Sequence, residues 1–428
     1  MPPGQELVLG IDFGTSFSSA AVFHEGRIRA ILDNGEAQIP TVVHIPVRGE
    51  PIVGAEAIRL GMAEPADTIA SIKRILGRRI DDPIVKALDA SVGYRIVEGP
   101  GKSILLKIRG RDYAPAQIAA MVLTQLRTLA ERRYGDRIKG AVIAVPADSP
   151  PDYMSALGKA AQLAKLEIKG FVPEPIAGAL AFGIGAEPAN RRIAVCDFGG
   201  GTFDVSLVEQ QGLRFHALGV GADHFLGGDD FDIAMADAVS GAVFKATRAD
   251  MRRDSVRWAE LIRRCESCKR QLSSAAEAPL QMRDAYVVGR EKQDINMRVG
   301  RDYMEPRWMP LVERCLQTTQ EVLAQAGSEV ALIEQVVLIG GTTLIPLVRR
   351  KIGELFGRTP MSSDTAHMAV VTGATVVAAR FQPSGASDLP ALADPDEKAA
   401  RTIPPAGAPP QGMAHTTLRP SGAAGGSK

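Results

Sequence analysis

The amino-acid sequence predicts an α/β protein of two similar lobes followed by a disordered tail. One pattern, two apolar β-rich runs joined by a short glycine turn, occurs twice: LVLGIDFGTSFSSAAVF at residues 7–23 and IAVCDFGGGTFDVSLV at 193–208. Each copy reads as a β-hairpin, so each opens a lobe of its own. Elsewhere strands alternate with helices, the pattern of α/β layers. Past residue 382 the chain turns to Ala, Pro, Gly and Ser without one aromatic residue. Such a segment cannot bury enough apolar surface to offset its ordering entropy.

Taken in order, the first hairpin is followed by the basic segment SIKRILGRRIDD (71–82), then by a strand KGAVIAVP (139–146) and a helix ALGKAAQLAKL (156–166). The second hairpin leads to WAELIRRCESCKRQL, whose mixture of charges and apolar residues is helical. A strand QVVLIGG (335–341) and a helix LVRRKIGELF (347–356) complete the second lobe. The expected organisation is lobe I at 1–173 with a subdomain inserted at about 39–117, lobe II at 174–382 with a second insertion at about 228–306, and the tail at 383–428.

Composition excludes several classes. Lys plus Arg is 50 against Asp plus Glu at 49, so net charge gives no attraction to nucleic acid or membrane. Four cysteines in 428 residues make no disulfide framework, which points to a reducing, cytoplasmic compartment. No signal-peptide pattern precedes the first strand, and no uncharged apolar run is long enough for a transmembrane helix.

The hairpin turns carry the chemistry. Glycines let backbone N–H groups approach an anion, and successive N–H groups form a concave nest for phosphate. Thr15, Ser16 and Thr202 add hydroxyl donors. A carboxylate at a strand end repels phosphate, but it can hold a Mg²⁺ that neutralises phosphates, usually through the ion's waters. Two facing hairpins, each with Asp, Gly and Thr, would therefore clamp a nucleotide polyphosphate and its metal. Other patterns fail. GPGKS (99–103) lacks the P-loop's first glycine, since residue 96 is Ile. DFG occurs twice without the HRD motif of protein kinases. Cys265 and Cys268 have metal-like spacing but no second pair, and read as half-buried thiols.

These motifs resemble, in order, the nucleotide-binding domain of the 70-kDa heat-shock chaperones of the DnaK type, over roughly residues 7–381. GIDFGTSFSS (10–19) and CDFGGGTFDVSL (196–207) resemble its two phosphate motifs, followed by LGGDDFD (226–232). VPA (145–147) and PEPIAGALAFG (173–183) resemble its connections, CESCKRQLSS (265–274) its adenosine segment and LIGGTTLIP (338–346) its last motif. Such hairpins are common to actin-fold ATPases, whereas IKRILGRR and ESCKRQLSS are specific to the chaperones.

The resemblance implies an actin-like (ribonuclease H-like) fold and a slow ATPase using ATP or ADP, Mg²⁺ and a monovalent cation such as K⁺. It implies phosphate binding by Gly14, Thr15 and Ser16 from one lobe and by Gly199, Gly200, Gly201 and Thr202 from the other. It assigns Mg²⁺ to Asp12, Glu174 and Asp197, and monovalent cations to Asp12, Asp197 and Asp204. Lys73, with Glu174, Asp197 and Asp12, would be catalytic, Lys73 orienting the attacking water. Glu266, Lys269, Arg270 and Ser273 share a helical face by spacing; they would hold the nucleoside, with Gly340 and Gly341 on its other side.

The departures from the family pattern bear on control. Leu344 stands where the family has an arginine over adenine, and His367 where it has an aspartate. Met154, Gly158, Gly170 and Pro173 replace residues that serve J-domain partners and the interdomain linker. Neither a linker nor a substrate-binding β-sandwich and lid is recognisable after Phe381. The expected function is thus a chaperone-like ATPase working by nucleotide-dependent lobe closure on an unidentified protein partner or client, unresponsive to generic J-domain proteins. The alternative is an actin-like metabolite kinase or a filament-forming ATPase.

Overall fold

The computed structural model describes residues 6–382. The tail expected at 383–428 lies outside the described residues, as do residues 1–5.

Two sheets carry the fold, and their strands run in the same order. The first hairpin, Leu7–Phe13 and Phe17–His24, has Arg27–Ala30 antiparallel on one side and Ile138–Val145 parallel on the other. The second hairpin, Ala189–Phe198 and Phe203–Gly212, has Arg214–Asp223 antiparallel on one side and Gln335–Ile339 parallel on the other. In the first sheet Ile168–Pro173 extends the parallel edge; in the second a single parallel bridge, Val337 to Met361, stands in that place. The first strand of each hairpin is central and buried on both faces, which explains its unbroken apolar run.

Each sheet has its own core. Leu9, Ile11 and Phe13 pack with the Pro115–Tyr134 and Pro151–Leu163 helices. Cys196, Phe198 and Phe203 pack with Phe231, Leu261 and Trp308. A third core joins the two sheets: Val8, Val142 and Val172 of the first meet Val195, Val337 and Ile339 of the second around Ile176, Ala177, Val370 and Ala374. These last four belong to the helices Glu174–Ala181 and Ala369–Ala378. The helices meet backbone to backbone: a Cβ on Gly373 would lie 1.8 Å from the Ala177 carbonyl oxygen.

Some boundaries differ from the expectation. The helix expected at 156–166 runs Pro151–Leu163, because Pro150 and Pro151 start it without losing a hydrogen bond. The strand expected at 335–341 ends at Ile339, where Gly340 takes φ 83. Cys265 and Cys268 are fully buried rather than half-buried, because both face the core of the second lobe. Among the described residues, no helix is long and apolar enough to cross a membrane.

Candidate functional site

The two hairpin turns face each other across one cleft, lined by Asp12, Gly14, Thr15, Ser16, Lys73, Glu174, Asp197, Gly199, Gly200, Gly201, Thr202, Asp204 and Gly340. The turns nearly touch. A Cβ on Gly200 would lie 2.8 Å from Ser16 Oγ, and one on Gly201 would lie 2.7 Å from Arg74 Nη2. A side chain on either glycine would displace Ser16 or Arg74, so proximity rather than backbone angle favours glycine here.

The second turn is held from behind. The Gly199 carbonyl accepts from Gly228 N–H at 3.0 Å and from Thr342 Oγ1 at 2.7 Å. The Gly200 carbonyl accepts from Asp229 N–H at 2.8 Å, and the Gly201 carbonyl from Arg74 Nη2 at 2.7 Å. With these carbonyls engaged, the N–H groups of Gly200, Gly201 and Thr202 remain, and among the described residues no backbone hydrogen bond claims them. The N–H groups of Gly14, Thr15 and Ser16 in the first turn are likewise unclaimed. Two sets of free donors around one cleft form an anion cradle.

Carboxylates crowd the floor of the cleft. Asp12 ends the central strand of the first sheet and pairs across its hairpin with Ser19; Asp197 ends that of the second and pairs with Asp204. Burial pushes Asp12 up to about 7, with Lys73 opposing and Glu174 reinforcing the shift. Burial likewise pushes Asp204 up to about 7, reinforced by Glu174. Asp197 is raised well above the usual carboxylate range by burial and by Glu174, Asp204 and Asp12. Acids so placed are uncomfortable without a cation among them, and a bound metal inverts this logic. Among the described residues, no group of three or more His, Cys, Asp or Glu side chains is arranged to hold a metal by itself. Carboxylate oxygens are ligands for a hard cation, and these would suit Mg²⁺, which usually keeps several of its waters.

Lys73 reaches the cleft from the short 3₁₀ segment Ile72–Ile75, anchored by buried Ile72 and Ile75. Its Nζ donates to Glu174 Oε1 at 2.6 Å. Burial opposes the ammonium charge, but Glu174 and Asp12 outweigh it and the Lys73 pKa is raised. Lys73 thus stays protonated, an electrostatic group rather than a base.

The four expected nucleoside residues stand beyond the walls of the glycine turns. Among Glu266, Lys269, Arg270 and Ser273, Arg270 reaches the cleft wall at Phe17. Lys269 is buried and donates to Asp232 Oδ2 at 2.7 Å and to the Gly228 carbonyl at 2.7 Å. It braces the start of the Gly228–Thr247 helix, whose N–H groups hold the second turn. Arg270 pairs with Glu266 at 2.6 Å, with its guanidinium 5.8 Å from the Phe17 ring of the other lobe. Ser273 follows the helix end and borders a separate groove with Pro346 and Arg349. Gly341 is exposed outside the cleft. Leu344 is half-buried, and the carbonyls of Thr343 and Leu344 accept from Arg349 at 2.9 and 3.2 Å.

Sequence reasoning missed Arg74, Tyr153, Asp148 and His224, all in the cleft wall. Arg74 also stacks on Phe225, 5.2 Å from the ring centroid. Nothing in its local sequence separates it from its basic neighbours; its partner lies 127 residues away. The Hsp70 protein family model matches residues 8–394 of the chain, and carries with it the actin-like ATPase fold for the paired sheets.

Proposed function

The chain belongs to the Hsp70 family of ATP-binding chaperones, which generally take ATP or ADP with Mg²⁺, and from that premise we propose that it is a slow ATPase whose lobes close on the nucleotide. The observation that carries this reading is the pair of glycine turns, whose unclaimed N–H groups face one cleft beside the Lys73–Glu174 pair. Gly14, Thr15 and Ser16 hold the polyphosphate from one side, and Gly199, Gly200, Gly201 and Thr202 from the other. Asp12, Glu174 and Asp197 would hold Mg²⁺, and Asp12, Asp197 and Asp204 would hold a monovalent cation. The metal supplies charge neutralisation at the phosphates. Lys73 orients the attacking water and stabilises negative charge on the γ-phosphoryl group, so the site works by position and electrostatics.

Closure is supported by three contacts that span the cleft: Arg74 to the Gly201 carbonyl, Arg270 over Phe17, and Gln38 Nε2 to the His367 carbonyl at 3.2 Å. Glu266, Lys269, Arg270 and Ser273 guide the nucleoside end, with Gly340 and Gly341 on its other side. Control differs from that of J-domain-driven relatives. A Cβ on Gly170 would meet the Phe381 ring at an ordinary contact distance, 3.6 Å, and Gly158 presents no side chain at all. The family resemblance implies basic residues where this chain has Met154, Gly158 and Gly170, and a surface without those charges gives an oppositely charged partner neither steering nor a contact.

Steady-state ATP turnover, measured with Mg²⁺, with EDTA, and with a generic J-domain protein, tests the reading. The expected result is slow, Mg²⁺-dependent turnover that the J-domain leaves unchanged. Strong J-domain stimulation overturns the proposal on control, and failure to bind MgATP overturns the site.

A further inference from the structure

One phenolic oxygen in the cleft has no partner. Tyr153 lies in the first turn of the Pro151–Leu163 helix, is 6% exposed, and lines the cleft with Lys73 and Glu174. Its Oη is buried and is hydrogen-bonded by nothing among the described residues. Buried hydroxyls are almost always partnered, so an orphan in a cleft wall asks for a partner that enters the cleft. Lys73 does not serve: its ammonium bonds Glu174 at 2.6 Å but makes no hydrogen bond to the Tyr153 oxygen.

Tyr153 is also fixed relative to Lys73. The segment bearing Lys73 leads into Gly77, which takes φ +74. A Cβ on Gly77 would lie 2.5 Å from Tyr153 N and 2.6 Å from Asp152 C. The two backbones therefore touch, and glycine is needed both for the turn and for the contact. The charged groups facing the phenol are Lys73, Glu174 and Asp12. Burial pushes the phenol up to about 12, so near neutral pH it keeps its proton and can both donate and accept.

We propose that Tyr153 is a positioning residue for ATP hydrolysis, its hydroxyl accepting a hydrogen bond from the attacking water while donating its own to a γ-phosphate oxygen. The inference rests on the ATPase reading above. In the step, the water oxygen bonds to the γ-phosphorus and the bond from that phosphorus to the β,γ-bridging oxygen breaks. ADP leaves with the electron pair, the water's proton passes to the released phosphate, and Tyr153 retains its own.

The test is Tyr153→Phe, which removes one oxygen and keeps the ring. MgATP affinity, single-turnover hydrolysis and the thermal midpoint are measured on parent and variant. The expected result is hydrolysis slowed roughly ten- to a hundredfold, the scale of a misplaced reacting group, with affinity within about threefold and a midpoint not lowered, since no hydrogen bond within the protein is lost. An unchanged single-turnover rate overturns the proposal. So does a variant that loses binding and midpoint together, which marks a merely structural role. A parent that binds MgATP without hydrolysing it also overturns the proposal while leaving the binding site intact. A parent that does not bind MgATP overturns the ATPase reading itself.

Discussion

The two hairpins occupy the same position in the same strand order, yet they are built differently. In the first, three residues join the strands and Asp12 faces Ser19 across the ladder. In the second, four residues join them and Asp197 faces Asp204. The first turn is shaped mainly by itself: a Cβ on Gly14 would lie 2.1 Å from the carbonyl oxygen of Phe17, three residues on, and one outside bond, Thr41 N–H to the Ser16 carbonyl at 2.8 Å, holds it. The second turn is shaped from outside, by the Gly228–Thr247 helix, Thr342 and Arg74. A doubled motif can thus keep its topology while its halves divide the work. The first half brings Lys73 from its inserted segment and supplies one acid; the second supplies two acids and a turn whose shape depends on its neighbours, including one from the opposite lobe.

The largest expected effect separates positioning from binding. Lys73→Ala should lower single-turnover hydrolysis by roughly 10²–10³-fold, the usual cost of losing one preorganised electrostatic group, with MgATP still bound. Parental turnover in that variant would remove Lys73 from the mechanism. Next comes the acid asymmetry. Asp197→Asn should weaken Mg²⁺-dependent nucleotide binding by about 10–100-fold, the scale seen when a metal's outer partners are changed. Ser19→Ala, at the position matching Asp204, should change it by less than about threefold. Equal effects, read from a Mg²⁺ titration of nucleotide affinity, would mean that both hairpins serve the metal alike.

The glycines give a third contrast, in stability. Gly14→Ala drives a Cβ into backbone and should cost about 1–3 kcal/mol, lowering the melting midpoint by a few degrees. Gly199→Ala meets nothing nearer than Thr202 O at 3.6 Å and should leave the midpoint unchanged. The reverse order in a thermal melt would refute the internal-versus-external distinction. The smallest effect lies at the nucleoside end. Leu344→Arg adds a cation where a base would stack, a contact of roughly 0.5–2 kcal/mol, and should tighten ATP binding by about two- to thirtyfold. No change in affinity would place the base elsewhere.

The doubled fold was legible because glycine, acid and β-rich residues lie next to one another in the chain, and two apolar β-rich runs joined by a glycine turn have few other readings. The Lys73–Glu174 pair was legible only through resemblance, since its members are 101 residues apart. Arg74 and Tyr153 were not legible at all. One looked like any arginine in a basic segment, the other like a core aromatic, and only the fold shows which side of each faces the cleft. Lys269 has a partner that spacing could not show. Its spacing put it on the face of a charged helix, but that face packs beside the Gly228–Thr247 helix, where its ammonium finds Asp232.

The crossing of the Ala369–Ala378 and Glu174–Ala181 helices sets the kinematics. Gly373 rests on the Ala177 carbonyl, and Gly10 of the first sheet rests on Thr375, where a Cβ would lie 2.3 Å from the amide nitrogen. Where main chain bears on main chain there are no rotamers to readjust, so the helices cannot slide past each other by a turn as packed side chains can. Rotation about the contact is the freedom that remains. Under the closure proposed above, the pair would serve as a fulcrum, and an opening of ångströms at the glycine turns would correspond to an angle of a few degrees here. A methyl group on Gly373 would act as a wedge in that bearing, altering the span of the whole cleft without touching anything bound in it.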